Sequence, residues 1–255
     1  METVRVETWG PATRVVLHRP EARNAFNETL ISELTQAFGS IPSSCRAVVL
    51  TGEGPAFCAG ADVAWMKKSK DFTEDENAKD AAAMSAMLRA IDECPKPVIA
   101  SVNGAALGGG CGLVAACDIA IAAEGAQFGF TEVRLGIMPA VISSFVVPKI
   151  GLRAARRYFL TGERFGAREA LAMGLIHEVV APGALDSRIQ GLLDELAQCG
   201  PRAVESAKKL LREVSGMPRD QALDHTIRAI ARLRVTPEAQ EGLGAFLEKR
   251  KPGWS

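Results

Sequence analysis

Two glycine-rich loops contain the residues whose types and spacing could do chemistry. The first loop covers residues 52–62 (GEGPAFCAGAD) and the second covers residues 103–110 (NGAALGGG). Each loop follows a short apolar run and leads into a helical pattern, so free backbone N–H groups and the positive end of a helix dipole would meet there. One such loop could bind a phosphate. Two together could hold a carbonyl oxygen between two N–H donors, which is an oxyanion hole.

These loops do not match the spacing of other glycine-rich motifs. A dinucleotide fingerprint needs glycines at i, i+2 and i+5, but Gly108 and Gly110 are followed by Leu113. A Walker phosphate loop needs Lys directly after its last glycine, where this chain has Gly110. The sequence contains no G-x-S-x-G nucleophile elbow. A purely structural role, in which the glycines only permit close packing and positive φ, stays open; it is favoured for one loop alone and less so for two.

Strands alternate with helices as far as Pro139, as the spacing of apolar residues indicates. The predicted elements are a hairpin (4–8 and 14–17), a helix after Asn27, strands at 47–50, 98–102, 119–122 and around Phe128, a helical turn around Trp65, and helices over 73–93 and 109–117. After Pro139 we expect helices, among them 185–197, 203–214 and 221–232, with a strand at 179–180. We predict an α/β core over 1–195 and a helical region over 196–255, with the boundary between 190 and 205.

Composition excludes several classes of protein. The 255 residues carry 30 basic and 30 acidic side chains, so the net charge of zero argues against a nucleic-acid or anionic-membrane partner. The six cysteines lack C-x-x-C spacing, which predicts reduced thiols in a cytoplasmic protein, with Cys58 and Cys111 as small buried groups. His18, His177 and His225 lie far apart and are interpreted as structural, so no metal site is predicted. The first residues resemble no signal peptide, and no apolar run is long enough for a membrane helix.

Seven strings of the sequence carry a family resemblance. They are RPEARNAF (19–26), AFCAGAD (56–62), NGAALGGG (103–110), CDIAIA (117–122), FGFTEVRLGIMP (128–139), TGERFGAREALAMGLIHEVV (161–180) and FLEKRKP (246–252). In this order they resemble the enoyl-CoA hydratase/isomerase (crotonase) family, from about Val4 to Pro252. The resemblance implies an α/β crotonase-like spiral of ββα units with a helical C-terminal trimerisation region. It also implies a homotrimer or homohexamer, an acyl-CoA thioester substrate, and no cofactor besides the CoA of that substrate.

The resemblance assigns roles to individual residues. Two backbone N–H groups, those of Ala61 and Gly109, would hold the thioester oxygen. As the charge of an acyl-CoA enolate lies on this oxygen, each donor would be worth about 3–4 kcal/mol by analogy with other oxyanion holes. The remaining positions are Arg23, Ala59, Asp62 and Leu107 for CoA, Lys249 in the C-terminal helix for the nucleotide, and Trp65 and Met66 for the acyl pocket.

Hydratases of this family use two glutamates, and the sequence contains one of them. Glu132 matches the glutamate of the F-G-x-x-E string, whereas Gly112 stands where the other glutamate follows the triple glycine. A glutamate among apolar neighbours can have a raised pKa suited to proton transfer. Glycine cannot titrate, so Glu132 is the single candidate acid/base group at these two positions.

These two positions therefore leave more than one reaction open. One acid/base group is enough for an isomerase, which moves a proton between C2 and C4 of an enoyl thioester. The strings CGLVAACDIA (111–120) and TEVRLGIMPAVIS (131–143), however, resemble a bacterial branch of methylglutaconyl-CoA or isohexenylglutaconyl-CoA hydratases. We predict a 2-enoyl-CoA hydratase, with a branched glutaconyl-type substrate as the finer hypothesis. An enoyl-CoA isomerase is the alternative, and a catalytically weak CoA-binding homologue is the third interpretation.

A glutaconyl-type substrate would bring a second carboxylate into the site. We hypothesise that Arg134, Lys67 or Ser143 binds this carboxylate, and that Glu132 works alone or together with it.

Overall fold

A computed structural model describes residues 1–254 of the chain. Ten strands form two sheets: β1 (Val4–Trp9), β2 (Ala12–Leu17), β3 (Ala47–Gly52), β4 (Ala56–Cys58), β5 (Val98–Val102), β6 (Ala105–Leu107), β7 (Ile119–Ala123), β8 (Gln127–Gly129), β9 (Arg164–Gly166) and β10 (Glu178–Val180). The larger sheet has the order β1-β2-β3-β5-β7-β10 and the smaller one β4-β6-β8-β9. All neighbours are parallel except the β1–β2 hairpin and the β8–β9 pair.

Ten α-helices and two short 3-10 helices complete the fold of the described residues. The α-helices are α1 (Glu28–Gly39), α2 (Val63–Ser69), α3 (Glu74–Asp92), α4 (Gly109–Ala116), α5 (Ala140–Thr161), α6 (Ala167–Ala172), α7 (Leu185–Ala197), α8 (Pro201–Val214), α9 (Arg219–Arg234) and α10 (Pro237–Leu247), and the 3-10 helices are Pro20–Ala22 and Glu132–Leu135. Helix α5 is interrupted at Gly151, whose φ is 70°. Asn27 accepts a hydrogen bond from Leu30 N and so caps α1, as the sequence predicts.

The chain winds as a spiral of ββα units. Strands β3, β5 and β7 belong to the larger sheet, and the strand that follows each of them, β4, β6 or β8, belongs to the smaller one. A helix comes after each pair. The structure therefore has the α/β spiral fold that the resemblance implies, with a helical C-terminal region. The repeated unit brings the segments after β4, β6 and β8 to the same side of the molecule.

The main core lies between the larger sheet and helices α1, α3 and α4. Its largest fully buried side chains include Phe26, Phe57, Phe128 and Phe130. A second, smaller cluster packs α7, through Ile189 and others, against the opposite face of the same sheet. Because both faces are covered, β3 and β5 are buried at every position and consist mainly of apolar residues.

The C-terminal helices are joined to the core by charged side chains. The described helices α8 and α9 contain no buried residue. The Lys208 ammonium lies 2.6 Å from the Asp118 carboxylate, and that of Lys96 lies 2.5 Å from the Glu205 carboxylate. Residues of α8 thus pair with residues beside β5 and β7. The boundary between 190 and 205 stays a prediction.

Three short strands were not predicted from the sequence. Strands β4 and β6 lie inside the two segments that the sequence presents as glycine-rich loops, and β9 lies in the part expected to be helical apart from residues 179–180. Each has only three residues, too few for an alternating apolar pattern to show. Their pairing partners are distant in sequence, so tertiary packing decides their conformation. Within residues 1–254, no helix is both long and apolar enough to span a membrane.

Candidate active site

The two glycine-rich loops lie against each other. Strand β4 pairs with β6, with Ala56 opposite Ala105. A Cβ added to Gly60 would lie 3.0 Å from the carbonyl oxygen of Leu107, and a Cβ added to Gly110 would lie under 3.0 Å from that of Cys58. These backbones approach so closely that glycine is needed at position 110.

Phe26 orients the peptide of Ala61. Its N–H donates to Gly60 O at 2.7 Å, and its carbonyl accepts from Asp62 N at 2.9 Å. Ala61 lies between these two bonds, and its own N–H has no hydrogen-bond partner among the described residues. Since Ala61 is exposed, this N–H is available to a ligand.

Gly109 is the first residue of α4, and the same Phe26 packs against it. The first N–H groups of a helix have no acceptor within the helix. The N–H of Gly109 has no partner in the described part of the chain either, whereas that of Gly108 donates to Gly129 O at 2.8 Å. A Cβ at Gly109 would lie 2.8 Å from Cε2 of Phe26 and 2.6 Å from Cε of Met84. A side chain at position 109 is therefore excluded.

The Glu132 carboxyl group lies beside the N-terminus of α4. Its Oε1 would be 3.2 Å from a Cβ at Gly108, the residue that precedes Gly109. Its Oε2 is buried and forms no hydrogen bond with any described residue. Burial raises the pKa of Glu132 above its ordinary value, against a smaller opposite effect of its own backbone N–H. A partly desolvated carboxylate next to free N–H groups is an arrangement suited to proton transfer near a bound oxyanion.

The space beside Gly112 is filled by Ile142. A Cβ at Gly112 would lie under 3.0 Å from Cγ2 of Ile142 and 3.5 Å from Cδ1 of Leu88. Ile142 belongs to α5 and is 2 % exposed. The space that the side chain of the missing glutamate would need is therefore occupied by the apolar side chains of Ile142 and Leu88.

Asp62, a predicted CoA contact, has two structural partners. Its carboxylate accepts from Ala64 N at 2.7 Å, which caps α2, and lies 2.7 Å from Nη2 of Arg19. The hydrogen bond from Arg19 is the main cause that holds the pKa of Asp62 below its usual value. Contact of Asp62 with CoA stays a prediction.

The other predicted CoA contacts surround the same loops, with one exception. Ala59 donates from its N–H to Arg23 O at 3.0 Å, and the Arg23 side chain is exposed. Lys249, however, is not part of the C-terminal helix, because α10 ends at Leu247. Lys249 has a φ of 55°, and the Arg250 N–H donates back to Ala245 O at 3.0 Å. This is a Schellman turn, which ends the helix one residue before Lys249 at its C-cap, Glu248.

The three candidates for a second substrate carboxylate differ in their surroundings. Ser143 donates its hydroxyl to Ala140 O at 2.6 Å in the first turn of α5. The Arg134 side chain lies over Gly162, with Nε 3.2 Å from a Cβ placed there. Lys67 is exposed on α2 and forms no ion pair within the described chain. None of them shifts the pKa of Glu132, which depends on burial.

The residues interpreted as structural have protein partners. His18 contacts Glu53, Nδ1 of His177 accepts from Ala120 N, and His225 Nε2 lies 2.8 Å from Glu213. Cys58 and Cys111 are fully buried, and burial raises the pKa of Cys58 to about 12. Trp65 and Met66 are half-buried on α2. Residues 1–254 contain no group of three or more His, Cys, Asp or Glu arranged to hold a metal ion.

Sequence reasoning missed four residues that shape the site. Phe26 contacts both loops, Arg19 pairs with Asp62, and Asn24 donates from Nδ2 to Ala56 O at 2.8 Å. All three belong to the string RPEARNAF, so this family motif could have identified them from the sequence. Asn24 has a φ of 56°, a conformation that Asn adopts more readily than most residues. Ile142 had no such signal, because its contact with Gly112 depends on the path of α5.

Comparison with known proteins agrees with this geometry. The family model described as enoyl-CoA hydratase/isomerase matches residues 12–255. The chain is 34 % identical to the short-chain-enoyl-CoA hydratase of Clostridium acetobutylicum, over 98 % of this chain and 97 % of that protein. The chain belongs to the enoyl-CoA hydratase/isomerase family, as its motifs predict.

Solved structures resemble the fold over its full length. The crystal structure of an enoyl-CoA hydratase from Shewanella pealeana superposes with a TM-score of 0.94 at 41 % identity, covering 99 % of this chain and 96 % of that one. AtuE of Pseudomonas aeruginosa superposes with a TM-score of 0.95 at 39 % identity, covering 99 % of both chains. The crotonase fold is thereby confirmed.

Proposed function

We propose that this protein is an enoyl-CoA hydratase, which adds water across the C2–C3 double bond of a 2-enoyl-CoA. The N–H groups of Ala61 and Gly109 hold the thioester oxygen. Glu132 accepts a proton from the water that attacks C3, and the electron pair of the double bond moves onto that oxygen as an enolate. Protonation of C2 then gives the 3-hydroxyacyl-CoA.

The observation that supports this function best is the position of Glu132. Its carboxyl group lies against Gly108, next to the free N–H of Gly109, and one of its oxygens is buried without a partner among the described residues. Burial raises the pKa of Glu132 and so makes it a better base when ionised. Two similar proteins, one matched by its sequence and one by its structure, are named enoyl-CoA hydratases, and these names support the same reaction.

The finer assignments are part of the proposal. Arg23, Ala59, Asp62, Leu107 and Lys249 contact CoA, and Trp65 with Met66 lines the acyl pocket. The substrate is a branched glutaconyl-type thioester, and Lys67, Arg134 or Ser143 binds its second carboxylate. The sequence strings over residues 111–120 and 131–143, which resemble hydratases of such substrates, support the glutaconyl-type thioester. The reaction uses no metal or redox cofactor, and the CoA belongs to the substrate.

We also propose a homotrimer or homohexamer in which residues 196–255 form the trimerisation region. Exposed apolar side chains in this region support it: Leu211, Ile227 and Phe246 are 70 %, 64 % and 82 % exposed. A cavity of ≈ 800 Å³ lies between α8 and α9. A cytoplasmic location is proposed from the six cysteines, none of which forms a disulfide within residues 1–254.

Enoyl-CoA isomerisation is the second candidate, and one observation favours it. Ile142 occupies the space beside Gly112, so Glu132 is the single carboxylate at the two positions where hydratases of the family have glutamate. One base that takes a proton from C4 and returns it to C2 would complete this reaction.

Incubation of the protein with 2-enoyl and 3-enoyl thioesters in deuterated water separates these candidates. A hydratase yields 3-hydroxyacyl-CoA with one deuterium at C2, whereas an isomerase interconverts the two enoyl thioesters without a hydroxylated product. Glu132→Gln is the matched control: it should abolish either activity and keep CoA binding. A protein that binds CoA but turns over none of these thioesters would refute both activities and indicate the weak homologue.

A further inference from the structure

Gly108 and Gly112 are one helical turn apart at the start of α4. The N–H of Gly112 donates to Gly108 O at 3.3 Å, which closes the first turn of this helix. Gly108 faces the Glu132 carboxyl group, and Gly112 faces Ile142. A side chain at position 112 would begin one turn further along α4 than Gly108 and would project into the place that Ile142 now fills.

Ile142 is held in this place by packing. It is 2 % exposed, and Leu88 of α3, which is fully buried, also lies within 4 Å of a Cβ at Gly112. Its own helix begins at Ala140, after the buried Pro139. Protein interiors are close-packed, so a larger residue at position 112 would force Ile142 and its neighbours to shift, at a cost in stability.

We propose that Ile142 is a specificity-determining residue. Together with Gly112 it excludes a second carboxylate from the acyl-CoA site, so that Glu132 is the one carboxylate that takes part in the reaction. This proposal rests on the proposed function and deepens it. Gly112 alone would leave a gap that water or a longer side chain could fill. Ile142 excludes both the water and the longer side chain, because its Cγ2 methyl group lies under 3.0 Å from the place of any Cβ at position 112.

One carboxylate can complete the hydration with all atoms balanced. Glu132 removes a proton from water while the hydroxide oxygen bonds to C3 and the π electrons of C2=C3 form the enolate. The same carboxyl group then returns this proton to C2, and the enolate electrons form the new C–H bond. The product gains one water, and Glu132 ends as it began. Simple enoyl thioesters, for which Glu132 must both take and return the proton, should react more slowly than in a site where two carboxylates share these steps.

Paired substitutions test the proposal with crotonyl-CoA as the probe. The double variant Gly112→Glu/Ile142→Gly removes the methyl group and supplies the second carboxylate. The variant Gly112→Gln/Ile142→Gly is its matched control, with the same size and no charge. We expect the Glu variant to hydrate crotonyl-CoA about 100-fold faster than the Gln variant, the lower end of what a general acid–base group contributes. Equal rates in the two double variants would overturn the proposal.

The steric part has its own test, which needs no activity. Gly112→Ala should lower the melting temperature in the native background and much less in the Ile142→Ala background, because the collision involves the Ile142 side chain. An equal effect of Gly112→Ala in both backgrounds would contradict the pairing. These smaller changes remain informative if the larger double variants do not fold.

Failure of the proposed function gives a different pattern. If the native protein hydrates no 2-enoyl thioester while the two double variants differ as expected, the native activity is wrong and the role of Ile142 stands. If the native protein hydrates crotonyl-CoA as fast as the Glu double variant, the role of Ile142 is wrong and the hydratase stands.

Discussion

The guanidinium of Arg19 and the carboxylate of Asp62 form an ion pair of 2.7 Å whose side chains are only 16 % and 13 % exposed. Asp62 directly follows Ala61, and its carboxylate also caps α2. Arg19 in turn donates to the carbonyl of Ala25, next to Phe26. The pair thus joins the two chain segments that orient the Ala61 N–H.

Asp62→Ala should destabilise the protein and slow the reaction. Removing one partner of this half-buried ion pair should cost less than the about 3–5 kcal/mol of a fully buried pair, and losing a helix cap contributes about 1 kcal/mol. Chemical denaturation measures the free energy of unfolding. The control is Lys68→Ala, which removes an exposed pair with Glu28 and should cost less than about 1 kcal/mol. Equal effects of the two substitutions would contradict the structural role of Asp62.

Gly109→Ala should reduce activity more than it reduces CoA affinity. The new Cβ would press on Phe26 and Met84 and would move the N–H that we propose holds the thioester oxygen. Losing one such donor lowers kcat by about 100- to 1000-fold. Gly39→Ala is the matched control, since nothing lies within 4 Å of a Cβ there. Steady-state kinetics and binding of free CoA check the prediction, and an unchanged kcat would refute the role of Gly109.

The pH dependence of kcat/KM should report Glu132. Because burial raises its pKa, the base should be protonated, and the rate should fall, at a pH above the ordinary glutamate value of 4.5. Activity is therefore expected to rise with pH through this raised pKa. Rates measured from pH 4 to pH 8, with stability monitored in parallel, test this. A rate that stays constant down to pH 4.5 would argue against Glu132 as the base.

Glu132→Gln should stabilise the protein at neutral pH while it abolishes activity. A carboxyl group whose pKa is raised by folding binds its proton more tightly in the folded state, so its ionisation at neutral pH opposes folding. The stability difference between Gln and Glu should shrink as the pH falls to about 4.5. Thermal unfolding at pH 7 and pH 4.5 measures it. A variant that melts lower than the native protein at pH 7 would contradict this account.

Much of the fold was predictable because its signals are local. The hairpin of β1 and β2, the Asn27 cap, and helices α3, α4 and α7 follow from apolar spacing and capping residues. The three-residue strands β4, β6 and β9 carry no such pattern and form because parts distant in sequence pair with them. The end of α10 before Lys249 was also missed, since a non-glycine residue adopts the left-handed conformation there.

The site residues that lie in sequence motifs were predictable, whereas the contacts between helices that shape the site were not. Glu132 and the two glycine-rich loops come from strings in the sequence, and the structure places Gly108 against Glu132 and Phe26 against Gly109. The contact of Ile142 with Gly112 joins residues 30 positions apart on different helices. Only the three-dimensional course of α5 reveals why position 112 is a glycine.

A crystal structure of the Glu132→Gln variant with bound crotonyl-CoA tests the central claim most directly. The account predicts the thioester oxygen at about 2.7–3.1 Å from the backbone nitrogens of both Ala61 and Gly109, with C2 and C3 facing side chain 132. A thioester oxygen bound elsewhere, or acyl carbons remote from position 132, would contradict it.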